Sequence, residues 1–347
     1  MERCYVCNRE LIPESAANEE QKKNKWFQSE EHIIPQFCGG QLTSPNLLCR
    51  AHNNRFGDAL ESPFSKEFIL PYLIPVKRSR KERIRKFNAQ TIDGRPVKID
   101  SKRRVQIKPG YKLTEDKKDI KWLQYPQSKK MDVKGYIRSV LKKEPTIERT
   151  YEETLMRYRQ IEGSQQFLEF PDYAISSQVT FRSMIKIAVN YALHSKIPRK
   201  LLTAPIDCVL DKTASYFPKY VRSIGSFFYM VPCQQPYFPK KNEISNVLFL
   251  KGSKSHGFLY CYIELLNTLN FFVMLSDRYS GIDLEFQRIT NVKTGKEIVG
   301  SKVTLDVDFN PTNYFWSHPY FEDLIQTGFS YRYSRILRIL NNATAKV

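Results

Sequence analysis

Four residues near the start of the chain have the types and the spacing of a metal site. Cys4 and Cys7 enclose two residues, and Cys49 and His52 repeat that spacing later in the same segment. This spacer lets both side chains of a pair reach one ion, and Zn²⁺ takes four sulfur or nitrogen ligands in a tetrahedron. Because four protein ligands leave no position for a substrate, we predict a structural Zn²⁺. Cys38 is an alternative fourth ligand, although it lacks a partner at this spacing.

A second set of polar residues lies between the two pairs and just after them. It comprises Glu31, His32, Asn46 and Asn53. A neutral histidine, with a reference pKa of ~6.5, can take a proton from water at physiological pH. Carboxylate and amide oxygens suit Mg²⁺, which keeps waters and phosphate oxygens as its other ligands. Hydrolysis of a phosphodiester needs an activated water and a Lewis acid. Each of these residues alone would be an ordinary core, turn or capping residue.

The order of these motifs resembles that of the HNH endonucleases. The chain reads Cys-x-x-Cys, Glu-His-Ile-Ile-Pro, Gly-Gly, Asn-Leu-Leu-Cys and x-x-His-Asn in succession, within residues 4–61. The resemblance implies the ββα-metal fold, in which zinc pairs often hold the domain together, and an activity that hydrolyses phosphodiester bonds to give 5′-phosphate and 3′-hydroxyl ends.

The resemblance also implies a role for each residue of the second set. His32 falls on the general base, and Asn46 on the residue that positions this base through the loop backbone. Glu31 and Asn53 fall on the ligands of a catalytic Mg²⁺ or Mn²⁺. The chain has Glu31, Asn53 and His52 where the family more commonly has Asp, His and Cys. Each substitute can still ligate a metal, although Glu is one methylene longer than Asp.

The charge of the chain indicates a polyanionic partner. Its 347 residues hold 55 Lys and Arg against 36 Asp and Glu, a net charge of +19, and nucleic acid is the first candidate for such a basic protein. Residues 1–64 have a net charge of −2, whereas residues 77–143 have +16. We predict that the basic segment binds DNA through phosphate contacts, most densely at Lys77, Arg78, Arg80, Lys81, Arg83, Arg85 and Lys86. A solvated surface without a partner, or an RNA partner, is the alternative.

Composition and hydropathy narrow the class of protein. Hydrophobic residues make up 41% of the chain and aromatic residues 13%, which is enough for a packed core and excludes wholesale disorder. The chain opens without the apolar stretch of a secretory signal. Its longest apolar run, 257–275, contains Glu264, Asn267 and Asn270, so we predict two adjacent buried strands there. We therefore expect a cytoplasmic, prokaryotic protein without a membrane partner.

The coarse pattern predicts an α+β fold with mostly antiparallel sheet. We predict a zinc-stapled HNH domain over 1–64, a basic nucleic-acid-binding region over 65–160, and a larger α+β domain over 161–347. Residues 177–194 have helical periodicity. Arg182 and Lys186 lie one turn apart on this helix, and we expect them on a solvated face rather than in contact with phosphate. Asp93-Gly94 predicts a hairpin over 89–99. We expect residues 105–107 and 120–123 to extend the sheet of this hairpin. A helix is predicted over 320–339.

Two classes of function remain open at this point. The first is a DNA endonuclease, by analogy in restriction or anti-phage defence, whose last domain recognises a target or senses a signal. A single HNH centre cuts one strand, so cleavage of both strands would need a homodimer or two successive events. The second is a zinc-knuckle protein that binds nucleic acid without cutting it. A nuclease that acts on RNA is a further alternative, because charge does not distinguish RNA from DNA.

Overall fold

The computed structural model describes residues 2–68, 87–91, 96–99, 105–107, 110–124, 133–155, 168–169, 178–211, 225–227, 236–240 and 242–305. Over these residues the fold mixes helices with antiparallel sheets, which confirms the predicted α+β class. The densest basic cluster, 77–86, and the helix predicted over 320–339 lie outside the described residues.

The chain forms two compact units. One combines 1–80 with 174–347, and the other spans 81–173. These units do not follow the boundaries predicted at 64/65 and 160/161. The physical reason is a long helix in the second half of the chain, which packs against both the N-terminal segment and the C-terminal sheet. The N-terminal segment and the C-terminal sheet therefore share one core.

The N-terminal segment is a hairpin followed by a helix. Strands β1 (Gln28–His32) and β2 (Thr43–Cys49) pair antiparallel, after a short helix α1 (Glu19–Lys23). Helix α2 (Arg50–Phe56) begins directly after β2 and continues through a π-helical turn, Gly57–Glu61, into α3 (Ser62–Glu67). Segments of π-helix in an α-helix are rare and often lie at functional sites.

In the unit formed by 81–173, the described residues form two small antiparallel sheets. The first has the order β5-β4-β3-β8, and the second pairs β6 with β7. The strands are β3 (Phe87–Thr91), β4 (Pro96–Ile99), β5 (Val105–Ile107), β6 (Gly110–Leu113), β7 (Ile120–Gln124) and β8 (Leu168–Glu169). Helix α4 (Val133–Lys143) packs on β7 through Ile137 and Val140.

This unit confirms the predicted hairpin in part. Strands β3 and β4 pair as expected, and β5 extends their sheet. The expectation that 120–123 also extends this sheet is wrong, because β7 pairs with its nearer neighbour β6. Period-two alternation shows that a segment is a strand, but it does not show which edge the strand joins.

The C-terminal half contributes two helices and one large sheet. Helices α5 (Gln178–His194) and α6 (Thr203–Leu210) precede a five-stranded antiparallel sheet of order β13-β10-β11-β12-β9. Its strands are β9 (Gly225–Phe227), β10 (Ser245–Ser253), β11 (Phe258–Leu265), β12 (Leu269–Ser276) and β13 (Leu284–Asn291). The apolar run 257–275 thus folds into β11 and β12, as predicted. Among the described helices, none is both long and apolar enough to cross a bilayer.

Helix α5 is buried along most of its length because it packs on this sheet. Phe181 meets Phe271 of β12 edge to face, with ring centroids 5.6 Å apart. The helix was predicted from its apolar periodicity, but the solvated face expected for Arg182 and Lys186 is wrong, since both side chains are buried. The guanidinium of Arg182 donates to the carbonyl of Val209 at 2.6 Å.

A buried asparagine joins the large sheet to the N-terminal segment. Asn246 of β10 donates to the carbonyl of Cys38 at 2.8 Å, and its Oδ1 accepts from the backbone N–H of Leu266 at 2.9 Å. We expect Asn246→Ala to lower the free energy of unfolding by about 1–3 kcal/mol, because both groups would lose their partner in the interior. Urea denaturation of zinc-loaded protein measures this. Asn24→Ala, at an exposed asparagine, is the control, and equal losses from both variants would contradict the prediction.

Candidate functional site

The four predicted zinc ligands converge. The ligand atoms of Cys4, Cys7, Cys49 and His52 all lie within 4.8 Å of one another. The Nδ1 atom of His52 is 3.1 Å from the Sγ atom of Cys49 and 3.7 Å from that of Cys4. Two thiols and a thiol–imidazole pair at these separations fit a tetrahedral Zn²⁺. The cluster is therefore compatible with a structural zinc site, and Cys38 is not part of it.

Local backbone structure brings each pair into place. The Cys4–Cys7 turn closes through a hydrogen bond from the Asn8 N–H to the Cys4 carbonyl at 2.8 Å, with Asn8 in the left-handed region at φ 58°. Cys49 ends β2 and stands at the N-cap of α2 in extended conformation, so His52 follows in the first helical turn. The two pairs therefore connect the N-terminal turn to the strand–helix junction.

A hydrogen bond connects two buried thiols of this cluster. The bond from Cys49 lowers the pKa of Cys4 to about 4, and the same bond raises the pKa of Cys49 well above its ordinary value. The low pKa of Cys4 favours the thiolate, which is the form that binds zinc. Binding of Zn²⁺ would displace the proton of Cys49.

His32, the predicted base, ends strand β1. Its neighbour across the hairpin is Thr43, and its side chain is partly exposed. Successive strand residues point to opposite faces, which places His32 on the face opposite to the buried Glu31. The turn after His32 is tight, because a Cβ atom on Gly40 would lie 1.9 Å from the carbonyl oxygen of Ile34. A glycine is therefore required where this turn meets the hairpin.

Asn46, the residue predicted to position the base, lies in an irregular part of β2. Ser29 pairs with Leu48 and Glu31 with Ser44, so Glu30 alone stands against the three residues that include Asn46. This is a bulge, a feature that redirects side chains. The Oδ1 atom of Asn46 accepts a long hydrogen bond from Gln28 at 3.5 Å. The proposed link from Asn46 to the base remains a prediction.

Asn53, the predicted helical metal ligand, ties α2 to β1. Its Nδ2 atom donates to the hydroxyl of Ser29 at 2.8 Å and to the carbonyl of Glu30 at 3.0 Å. These bonds fix the plane of the amide and leave Oδ1 as the atom that can bind another partner. The contribution of Ser29 was not foreseen, and the only sequence signal for it is a small polar residue at a buried strand position.

Glu31, the predicted acidic ligand, is enclosed. Its side chain is 2% exposed and forms an ion pair with Lys186 of α5, whose side chain is 3% exposed. Asn190 donates to the same Oε1 atom of Glu31 at 2.7 Å. Lys186 also pairs with Glu61 at 2.9 Å. No pattern in the sequence indicates that Lys186 and Asn190 belong here, beyond two polar residues in the otherwise apolar stretch 184–192.

Burial and charge act in opposite directions on this cluster. Burial lowers the pKa of Lys186, but the carboxylates of Glu31 and Glu61 outweigh it, so the pKa of the ammonium lies above its ordinary value. Burial likewise raises the pKa of Glu31, and Lys186 offsets this only in part. We conclude that Lys186 is a buried cation at physiological pH.

With Lys186 and Asn190 bound to it, Glu31 does not fit a divalent cation. The carboxylate is shielded from solvent, and Oε1 already accepts hydrogen bonds from an ammonium and an amide. Mg²⁺ keeps several waters and requires nearly octahedral geometry, which such an enclosed oxygen does not offer. The two predicted ligands thus differ, since Asn53 has an available oxygen and Glu31 has none that is open.

Residues 4–69 match the family described as HNH endonuclease. This range includes the zinc cluster, the hairpin and helix α2, so the resemblance drawn from the motifs is confirmed for the N-terminal segment. No curated protein and no solved structure matches the chain. The match indicates nuclease activity and nucleic-acid binding, and it ends before the basic cluster 77–86.

Proposed function

We propose that this protein is a metal-dependent endonuclease that hydrolyses phosphodiester bonds of DNA. The observation that carries the proposal is the HNH match over a hairpin and helix connected by a zinc-compatible cluster. The hairpin supplies His32, and the helix supplies Asn53 with its amide oriented. A rigid support of this kind is what a hydrolytic centre needs to hold a base and a metal ligand in register.

His32 is the proposed general base. It lies at the end of strand β1 and is partly exposed, a position from which a histidine can take a proton from a water. A catalytic Mg²⁺ or Mn²⁺ would supply Lewis-acid chemistry at the phosphate. The proposed ligands are Asn53, through Oδ1, and Glu31 once its carboxylate is released from Lys186. The structural role of zinc is separate, because its four ligands are all protein side chains.

The basic segment is the proposed holder of DNA. The N-terminal segment is slightly acidic, at −2 over residues 1–64, and would attract a duplex poorly by itself. Residues 77–143 carry +16 and follow directly, so the cluster Lys77, Arg78, Arg80, Lys81, Arg83, Arg85 and Lys86 is proposed to contact phosphates. Affinity should then fall steeply with salt, as phosphate-dominated binding does.

We place the activity in restriction or anti-phage defence of a prokaryotic cell. The support is architectural, since a small nuclease segment is combined with a larger part of the chain that has room for target recognition or sensing. Cleavage of both strands would require a homodimer or two successive cuts, as the described residues contain one candidate centre.

Plasmid cleavage tests the proposal. Purified zinc-loaded protein is incubated with supercoiled DNA in Mg²⁺, in Mn²⁺ or in EDTA, beside an equal mass of structured RNA. We expect nicked or linear DNA with either metal and none with EDTA. Cleavage of RNA alone would replace DNA as the substrate. Binding of nucleic acid in a gel-shift assay, without cleavage of DNA or RNA, would favour the alternative function, a zinc-knuckle protein that only binds. The enclosed position of Glu31 is the observation that favours this alternative.

A further inference from the structure

One ammonium group lies between two carboxylates, one of which belongs to the predicted metal ligand Glu31. The Nζ atom of Lys186 contacts Oε1 of Glu31 and, at 2.9 Å, Oε1 of Glu61. These three side chains come from β1, the π-helical turn and α5, which are distant in sequence but belong to the same compact unit. Two carboxylate oxygens that converge on one point form a cation position, and Lys186 fills it.

Helix α5 binds Glu31 through two side chains. Asn190 follows Lys186 by one helical turn, and both donate to the same Oε1 atom. Residues four apart on a helix lie on the same face, so the pair acts as a two-point clamp. Asn190 is completely buried, and its own Oδ1 atom is without a hydrogen-bond partner among the described residues. Both side chains of the clamp therefore donate to Glu31, and Lys186 donates to Glu61 as well.

A divalent cation bound by the Glu31 carboxylate would lie close to this ammonium, which already contacts Oε1. Like charges at such a short distance in a buried site repel strongly. We propose that Lys186 is an internal cation that competes with the catalytic metal for Glu31, so that helix α5 keeps the nuclease site metal-free until Lys186 is withdrawn. The proposal rests on the proposed function.

Lys186 would keep one of its two partners if Glu31 were released. The Glu61 side chain, which already pairs with the ammonium, is 27% exposed. The ring of Phe56, 5.7 Å from Nζ, provides a further favourable surface for a cation. Release would therefore not leave the ammonium unpaired in the interior. The proposed two-position switch has the ammonium between both carboxylates in one state and on Glu61 alone in the other.

Binding of Mn²⁺ to the zinc-loaded full-length protein, followed by electron paramagnetic resonance, tests the competition without any cleavage assay. We expect Lys186→Gln to bind Mn²⁺ about tenfold tighter than wild type or more, because the competitor is removed. Lys186→Arg should bind like wild type. Arg182→Gln removes the same charge one turn earlier on α5 but does not touch Glu31, so it should also leave the affinity unchanged.

The double variant Glu31→Gln/Lys186→Gln identifies the ligand. We expect it to lose the gain of Lys186→Gln, because the released carboxylate is the group that binds the metal. Equal Mn²⁺ affinity in wild type and a folded Lys186→Gln variant would overturn the proposal and make the ion pair a structural joint. A gain that survives Glu31→Gln, or an equal gain in Arg182→Gln, would overturn it as well.

A second pair of variants keeps the proposal testable if Lys186→Gln does not fold. Glu61→Gln removes the alternative partner and should tighten the clamp, so Mn²⁺ affinity falls. Asp58→Asn removes the same charge from an exposed position of the same π-helical turn and should lower it less. Equal effects would contradict the two-position switch. Absence of DNA cleavage together with the expected Mn²⁺ shifts would reject the proposed function and keep the cation competition.

Discussion

Replacement of His32 by alanine should lower the rate of DNA cleavage by roughly 10²–10⁴-fold, the range that a positioned general base contributes. The side chain lies at the edge of the hairpin and is partly exposed, so its loss should not disturb the core. The measurement is the single-turnover rate on supercoiled plasmid at saturating Mg²⁺.

His256→Ala is the matched control for this prediction. His256 sits in the turn between β10 and β11, where its Nδ1 atom is 2.9 Å from the hydroxyl of Ser253. We expect cleavage at the wild-type rate from this variant. Zinc content and DNA affinity should be unchanged in both variants. A His32→Ala protein that still cuts within a few-fold of wild type would show that another group activates the water.

Loss of zinc should unfold the N-terminal segment. Structural Zn²⁺ contributes roughly 10–16 kcal/mol of apparent binding free energy in small zinc domains, which exceeds the stability of most whole domains. Cys49→Ser should have the largest effect, because Cys49 is both a ligand and the residue from which α2 starts. We expect it to abolish bound zinc, measured by elemental analysis, and to remove the slow-exchanging amides of β1 and β2.

Cys38→Ser separates the two candidates for the fourth ligand. Cys38 is buried beside the hairpin but does not belong to the four-residue cluster. We expect this variant to keep one zinc per chain, whereas His52→Ala should lose it or hold it weakly. The opposite result would assign Cys38 as a ligand in place of His52.

The zinc cluster was predictable because its determinants are local. Each pair has a two-residue spacer that a single turn or a helix start can close, so sequence alone specifies the geometry. The same holds for helix α5, whose apolar periodicity is continuous, and for the split of 257–275 into β11 and β12 by its polar residues. In each of these cases the pattern that identifies the element is contained in the element.

The environment of Glu31 was not predictable in this way. Its partners Lys186 and Asn190 lie 155 and 159 residues further along the chain, and no local pattern encodes that separation. A lysine on a helix normally predicts a solvated position, since burying an ammonium without a partner costs free energy. Here the partner is supplied by another element. The compact unit that combines 1–80 with 174–347 rests on the same kind of contact, because α5 packs against both the N-terminal segment and the C-terminal sheet.

The long separation between Glu31 and α5 also sets an order of events during synthesis. All four zinc ligands have been made by residue 52, whereas Lys186 follows roughly 7–27 seconds later at about 5–20 residues per second. Zinc can therefore connect the N-terminal turn to the strand–helix junction before helix α5 exists. Helix α5 covers Glu31 only afterwards.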